Sequence, residues 1–539
     1  SEQFREAEKF VKGLKVTREL RRNFIVELGF VYQQQGDFKK AEKEFERAIE
    51  RMEPTRMAVV DLANAFLIRR QPDYAVKVYL KGRKVIPEPY PFHIELANVY
   101  QATRNFGAMM DEYLDLVASD EGRIDLVQSI LQQLMNHLND ESFNQLVRGK
   151  MIERTQKFPD QLVYSELLLW YSIQQKEFSL ALSQAKSMER RTRDEGDMVY
   201  KVGQLAASNE YFDVAIEAFE HIRAKGETHF LFLSAEIMLL EVKYSKLMKT
   251  GITDILQIER MEQEYEKVLA DLGQNAGTVV LMRNLSHLRA FYLDKVEPAI
   301  AMLEVAIAMP GVKPSVVAQC KIDLADIFLM TGEVWEATLL YSQVEKAFKY
   351  DPVGFEAKLK NARLSFYIGE FDWARTQLDV LRTATSKLIA NDAMELSLLI
   401  SDNLEADSNT VPLSMYANAE LLTFRKKSDM ALLVLDSIAG IFPGHNIQDE
   451  VLLTKAEIMF AKGDFAAVDS LLNRLVDEFS FDILVDNALI MQARMHDYQL
   501  SDGPGALELY ERIIIDHPGS IFVTEARKRY RELRGDYLN

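Results

Sequence analysis

The chain of 539 residues is long for one compact core, and 48% hydrophobic residues exclude a disordered polypeptide, so several domains or one elongated repeat structure are expected. The net charge of −18 disfavours nucleic-acid binding, because the short basic runs also have acidic neighbours. Cys320 is the only cysteine, which excludes an intrachain disulfide. No apolar run approaches the ~20 residues of a membrane-spanning helix, so no transmembrane segment is expected.

A repeat begins near the amino terminus. The pair Leu28-Gly29 is followed 34 residues later by Leu62-Ala63, and 34 residues after that by Leu96-Ala97. The register returns with Leu169 and Gly203, and in the C-terminal part with Ala325, Ala362, Ala419, Ala456 and Ala493, where the steps are 37, 57, 37 and 37 residues. Each unit is predicted to be two helices that cross closely at the small residues.

The turns between the two helices of a unit carry their own signature. They contain QGDF at 35–38, IGEF at 368–371 and KGDF at 462–465. Glycine allows the left-handed backbone that ends the first helix, and the acid lies near the positive end of the second.

This pattern of small and large residues resembles the tetratricopeptide repeat. The resemblance implies an all-α fold, a tetratricopeptide-type α-solenoid that forms a right-handed superhelix of helix-turn-helix repeats. The predicted organisation is an N-terminal array at 1–225, a lengthened helical hairpin or kink at 226–280 and a C-terminal array at 281–539. Residues 120–160 are predicted to be helical without the small-residue signature, 226–275 to form two longer helices, and the acidic stretch 402–409 to be a surface loop.

Several stretches resemble a narrower group, the tetratricopeptide proteins of Bacteroidota. They are YSQVE at 341–345, GEFDWARTQLDVL at 369–381, TSKLIANDAMELSLLISDN at 385–403 and DHPGSIFVTEARKRYRELRGD at 516–536. Members of that group carry a signal peptide, which implies a periplasmic location. The last stretch is also similar to repeats of envelope proteins that assist outer-membrane assembly, which implies peripheral association with that membrane. The chain starts at Ser1, and either a trimmed methionine or a removed signal peptide explains this start.

Signatures of catalysis and of bound cofactors are missing from the sequence. It contains no GxxxxGK[ST], GxGxxG, HExxH or GxSxG motif, and no histidine has a partner at metal-ligand spacing. Cys320 lies in a first helix and is expected to be buried. We therefore expect no enzyme activity, no cofactor and no metal.

Partner binding is expected on the concave face, which stacked first helices line. Asparagine and glutamine amides on this face suit a peptide backbone, and the aromatic residues among acids further along suit a basic or amphipathic helix. The predicted groove residues are Phe30, Gln33, Asn64, Leu67, Asn98 and Gln101 in the first units, and Arg363, Phe366, Tyr416, Phe460 and Arg494 in the C-terminal units.

Three functions remain open from the sequence. The first is a non-catalytic scaffold in the bacterial cell envelope that binds protein or peptide partners related to outer-membrane assembly or secretion. The second is a cytoplasmic adaptor or regulator. The third is an enzyme or ligand-binding protein whose site lies within 120–160 or 226–275, where a closed pocket with converging polar groups would support it.

Overall fold

The regular structure of the chain is helical throughout the described residues. In this computed structural model those residues are 2–13, 20–88, 90–138, 140–192, 195–250, 254–382, 387–404, 409–480 and 482–535. They fall into two compact units: unit 1 holds the described residues up to 202, and unit 2 holds those from 203 to 535. The array bounds predicted at 225 and 280 stay predictions.

Unit 1 begins with a single helix and continues as helical hairpins. Its helices are α1 (Glu2–Gly13), α2 (Leu20–Gln34), α3 (Phe38–Glu50), α4 (Arg56–Ile68), α5 (Pro72–Val85), α6 (His93–Ala102), α7 (Phe106–Ser119), α8 (Ile124–Leu138), α9 (Glu141–Lys157), α10 (Leu162–Gln174), α11 (Phe178–Thr192) and α12 (Asp197–Ser208), the last of which extends into unit 2. A 3₁₀ turn at Glu121–Arg123 precedes α8. The predicted helices within 120–160 are thus confirmed as α8 and α9.

Unit 2 contains the remaining helices. They are α13 (Phe212–Arg223), α14 (Phe232–Thr250), α15 (Ile255–Leu272), α16 (Val279–Tyr292), α17 (Val296–Ala308), α18 (Pro314–Thr331), α19 (Val334–Ala347), α20 (Pro352–Tyr367), α21 (Phe371–Leu381), α22 (Lys387–Leu404), α23 (Val411–Phe424), α24 (Ser428–Ile441), α25 (Gln448–Lys462), α26 (Phe465–Glu478), α27 (Val485–Arg494), α28 (Gly503–Asp516) and α29 (Val523–Arg534). A π-helical turn at Met495–Gln499 follows α27. The two longer helices predicted within 226–275 are confirmed as α14 and α15, which have 19 and 18 residues.

The predicted turn chemistry is confirmed by the backbone. Gly36, Gly369 and Gly463 have φ angles of 81°, 83° and 77°, the left-handed region in which a side chain would be strained. The following aspartates cap the second helices, since Asp37 accepts a hydrogen bond from the amide of Lys40 and Asp464 from that of Ala467. Glycine conformation marks these three turns, whereas other hairpins turn at non-glycine residues with positive φ, such as Arg70 and Arg104.

The small residues lie where the two helices of a hairpin cross. A Cβ atom built on Gly29 would lie 2.5 Å from the ring of Phe45, and one built on Gly203 would lie 3.0 Å from Ala218. The equivalent residues Ala63 and Ala97 are fully buried. The aromatic side chains beside these crossings, such as the buried Phe66, each contribute about 1.5–3 kcal/mol by leaving water. This recurrence of one hairpin packing on the next defines a tetratricopeptide-type α-solenoid.

Helix α22 interrupts the regular order of hairpins in unit 2. It packs mainly against α21, whereas α23, the first helix of the next hairpin, contacts the earlier first helix α20 directly. The step from Ala362 to Ala419 is 57 residues instead of 37, and this excess of 20 residues accommodates the 18-residue α22. The surface loop predicted at 402–409 is partly wrong, because 402–404 belong to this helix and Asn403 is fully buried; residues 405–408 lie outside the described residues.

Candidate functional site

Equivalent positions of four first helices line one face of unit 2. Each position immediately follows the small residue of its helix: Asp326 on α18, Arg363 on α20, Glu420 on α23 and Glu457 on α25. Each of these side chains lines one or both of two adjoining cavities. A stack of hairpins repeats the orientation of its first helices, so the same position returns on the same face. We call this face the inner face of unit 2.

The larger cavity on the inner face is strongly acidic. It has a volume of about 790 Å³ and lies between α20, α22, α23, α25 and the residues before α27. Its described lining includes seven carboxyl groups and one guanidinium group, so we call it the acidic cavity. These charged residues are Arg363, Glu395, Asp402, Glu420, Asp449, Glu450, Glu457 and Asp482. A cleft lined by one sign of charge attracts ligands of the opposite sign.

A second cavity adjoins the acidic cavity and shares Arg363, Tyr367 and Phe424 with it. It has a volume of about 620 Å³, and we call it the apolar cavity. Its aliphatic lining residues are Leu329, Val353, Leu359 and Ile389. Its lysine is already neutralised, because Lys360 Nζ lies 2.8 Å from an oxygen of Asp326, which also accepts a hydrogen bond from the Tyr341 hydroxyl. The carboxyl groups of Glu356 and Asp392 also line this cavity, so an uncharged side chain suits only the part that the aliphatic residues line.

Three neighbouring polar groups in the acidic cavity are incompletely satisfied. Asn403 is fully buried and Asp449 is only 4% exposed. The Asn403 amide donates to the carbonyl oxygen of Leu399 at 3.0 Å and to Glu450 Oε1 at 3.2 Å. Asn403 Oδ1 is buried and accepts no hydrogen bond from the described residues. Asp449 Oδ1 and Glu450 Oε2 are also buried, and these two carboxyl groups hydrogen-bond to each other through a shared proton. A buried acceptor without a donor costs about 1–3 kcal/mol, so a ligand that brings donors would stabilise the site.

Burial controls the charge of this group. Burial, and after it the adjacent Asp449 carboxyl, raises the pKa of Glu450 well above its ordinary value. Burial also raises the pKa of Asp449. The raised pKa values favour the neutral forms of these two carboxyls, and a positive charge beside them would favour ionisation.

The carboxyls beside this group are also shifted towards the neutral form. Burial raises the pKa of Glu457 to about 7, with repulsion from Glu420 and Glu395 as the next causes. Burial raises the pKa of Glu420 as well, although the Arg363 guanidinium partly opposes this. Glu457 is exposed on the cavity wall, but the concave surroundings remove part of its water. The acidic cavity thus holds carboxyls whose ionised form a bound cation would stabilise.

Two of the predicted groove residues of the C-terminal units line the acidic cavity. They are Arg363, which is exposed, and Tyr416, which is 5% exposed and whose hydroxyl lies 2.8 Å from the Thr454 hydroxyl. The placement of Phe366 in the groove is wrong, because this side chain is 0% exposed and packs against Phe371.

The other two predicted residues of the C-terminal units lie beyond the cavities. Phe460 is half-buried and makes an edge contact with Phe465 at 5.7 Å between ring centroids. Arg494 forms two hydrogen bonds with the carboxylate of Glu525, at 2.9 and 2.6 Å, so its charge is already neutralised.

The predicted groove residues of unit 1 line neither the acidic cavity nor the apolar cavity. The guanidinium of Arg69 covers the ring of Phe30 at 4.7 Å, and Gln33 accepts a hydrogen bond from Gln71 at 3.0 Å. Asn64 and Asn98 are exposed, while Leu67 and Gln101 are half-buried. Their role as partner-binding residues stays a prediction.

The sequence analysis missed α22 and the residues that it brings to the site. Glu395, Asp402 and Asn403 all lie on this helix and line the acidic cavity. The 57-residue step between repeats was the signal that could have revealed an additional helix. The predicted burial of Cys320 is confirmed, and burial raises the pKa of its thiol to about 11.

Within the described part of the chain, no group of three or more His, Cys, Asp or Glu side chains converges in the manner of a metal site. No helix among the described residues combines the length and apolar character needed to span a bilayer.

The fold and its cavities define a helical-repeat protein with an acidic inner face in unit 2. Neither a protein-family model nor a curated protein matches the sequence.

Solved structures of low similarity include Naa15/Naa10 bound to HypK-THB, with 14% identity, 96% of this chain and 87% of that chain covered, and a TM-score of 0.27. The yeast Tom70 structure has 14% identity, coverage of 90% and 98%, and a TM-score of 0.30. A Rap protein complexed with competence and sporulation factor has 12% identity, coverage of 66% and 97%, and a TM-score of 0.33. Because similarity at these TM-scores carries no argument, the assignment as a helical-repeat protein rests on the sequence repeat and on the helices of this chain.

Proposed function

We propose that this protein is a non-catalytic scaffold that binds protein or peptide partners on the inner face of unit 2. The acidic cavity of about 790 Å³, with seven carboxyl groups and one guanidinium group in its described lining, is the observation that carries the proposal. A basic segment of a partner complements this charge, and opposite charges also accelerate its association. The net charge of −18 supports a partner other than nucleic acid.

Site-specific photo-crosslinking tests the proposal. A photoreactive residue replaces either Leu398, which is 42% exposed and lines the acidic cavity, or Leu433, which is 68% exposed on α24 and lines neither cavity. We expect position 398 to crosslink a basic segment of a partner, and polylysine or raised salt to suppress this product. Equal crosslinking from both positions, or products insensitive to polylysine and salt, would contradict binding at the inner face.

The proposed location is the bacterial cell envelope, with peripheral association with the outer membrane and a role related to outer-membrane assembly or secretion. The resemblance to periplasmic tetratricopeptide proteins supports this proposal. A cytoplasmic adaptor is the second candidate, since an acidic peptide-binding face serves equally well there. Fractionation of cells that produce the full-length precursor separates the two, because osmotic shock releases a periplasmic protein and leaves a cytoplasmic one behind.

A further inference from the structure

The buried polar group at the end of the acidic cavity has the composition of a site for one positively charged side chain. Asn403 presents a buried oxygen without a hydrogen-bond donor among the described residues, and the buried carboxyl groups of Asp449 and Glu450 hydrogen-bond to each other, which requires a proton between them. These three groups are adjacent, because the Asn403 amide contacts Glu450 at 3.2 Å and Asp449 is the preceding residue on α25. Their residues line a cavity that contains further carboxyls from α23 and from the segment before α27.

An ammonium group fits this set of acceptors in number and in charge. A lysine ammonium carries three N–H donors and no acceptor, so the number of its donors equals the number of these groups. Its long apolar stem can cross the cavity while the charge reaches the buried end. Charge-assisted hydrogen bonds to the carboxylates are stronger than bonds between neutral groups.

The adjoining apolar cavity indicates that the ammonium belongs to a polypeptide. Arg363, Tyr367 and Phe424 separate the two cavities and contact both. A free amine would fill the acidic cavity alone, whereas a peptide can place a neighbouring aliphatic side chain against Leu359 and Ile389. The two cavities together bind one charged and one apolar side chain of the same segment.

We propose that the inner face of unit 2 binds a partner segment whose lysine ammonium bonds to Asn403, Asp449 and Glu450, while a nearby aliphatic side chain of that segment occupies the apolar cavity. This inference rests on the proposed scaffold function and specifies the chemistry that its partner must have. A free polyamine is the competing occupant, and the experiment below separates the two.

Calorimetric titration of the full chain with capped peptides tests the inference. The probe peptide has one lysine, and three matched peptides carry norleucine, acetyl-lysine or arginine at that position. A further set moves a single leucine through the positions on either side of the lysine, and free cadaverine represents a small amine. We expect the lysine peptide to bind about 30-fold or more tightly than the norleucine peptide, since losing one partner of a buried charged pair costs about 2 kcal/mol or more.

Variants of the protein locate the binding site. Asp449→Asn and Glu450→Gln are each expected to lower the affinity for the lysine peptide by about 30-fold or more. The affinity for the norleucine peptide should stay unchanged. Glu508→Gln serves as the control, because Glu508 is exposed on α28 and lines neither cavity. Circular dichroism verifies that each variant retains its helical structure.

The outcomes of the titration test the lysine site separately from the proposed scaffold function. Equal affinity of the wild-type protein for the lysine and norleucine peptides overturns the inference, even if no variant folds. Binding of cadaverine as tightly as the best peptide, with no preference for any leucine position, assigns the site to a free amine and overturns it as well. If the photo-crosslink at position 398 persists in either case, the scaffold function stands without this ligand.

Discussion

Asn403 on α22 donates a hydrogen bond to Glu450 on α25 at 3.2 Å, across 47 residues of sequence. This contact joins the additional helix of unit 2 to the first helix of a later hairpin. It also orients a fully buried amide towards the acidic cavity. The additional helix therefore forms part of the candidate site as well as of the fold.

Replacing Asn403 by alanine is expected to destabilise unit 2 by about 1–3 kcal/mol, because Leu399 and Glu450 then lose a buried donor. Asn418→Ala is the matched control, since Asn418 is exposed on α23. Urea denaturation measures the free energy of unfolding of both variants. An equal effect of the two substitutions would contradict a structural role for the Asn403 contact.

Replacing two glycines of unit 1 by alanine should change the stability of the protein in opposite directions. Gly29→Ala places a methyl group within 2.5 Å of the Phe45 ring, and the resulting overpacking should cost about 1–3 kcal/mol. Gly149→Ala on α9 meets no atom within 4 Å and should stabilise the helix by about 0.5–1 kcal/mol. Thermal unfolding followed by circular dichroism compares the two. A stable Gly29→Ala protein would show that this crossing is looser than the structure indicates.

His287 should make unit 2 sensitive to acid. Burial lowers the pKa of its imidazole to about 4 from 6.5, and its ring stacks on Phe291 at 4.7 Å. The unfolded chain then binds more protons than the folded protein below pH 6.5, so stability falls as the pH decreases from 6.5 to 4. The loss attributable to this residue is about 3 kcal/mol.

The variant His287→Phe tests this prediction because it keeps the stacking and removes the titration. Its unfolding free energy should depend less on pH in that interval than the wild-type value does. His137→Gln, at an exposed position on α8, is the control and should retain the wild-type dependence. If the unfolding free energies of the wild type and of His287→Phe change with pH in parallel, His287 is not the cause of the acid sensitivity.

His496 should make the stability of unit 2 depend on pH in the opposite sense. Burial favours its neutral form, but hydrogen bonds with Asp502 at 2.8 Å and Asp469 at 3.1 Å outweigh that effect and raise its pKa. Because the folded protein holds the proton more tightly, the stabilisation is complete below pH 6.5 and is lost as the pH rises through the raised value. In His496→Gln this decrease should be absent. Urea denaturation at a series of pH values measures it, and a decrease of wild-type size in the variant would contradict the prediction.

The sequence by itself determined the hairpins and the face on which they present equivalent residues. Gly36, Gly369 and Gly463 fix their turns through backbone conformation, which depends on a few adjacent residues. The repeat register also placed Arg363 and Tyr416 on the face that holds the acidic cavity, because every first helix takes the same orientation in the stack.

The tertiary structure alone decided which polar groups meet in the acidic cavity and which aromatic side chains are covered. Phe366 follows Arg363 by three residues and so lies only about 60° around the helix from it; contact with Phe371 of the next helix buries the ring. Asn403 reaches Glu450 because α22 packs against α21 instead of forming a regular hairpin. Such contacts join residues far apart in the chain, and their energies depend on packing between helices, which no local pattern of residues encodes.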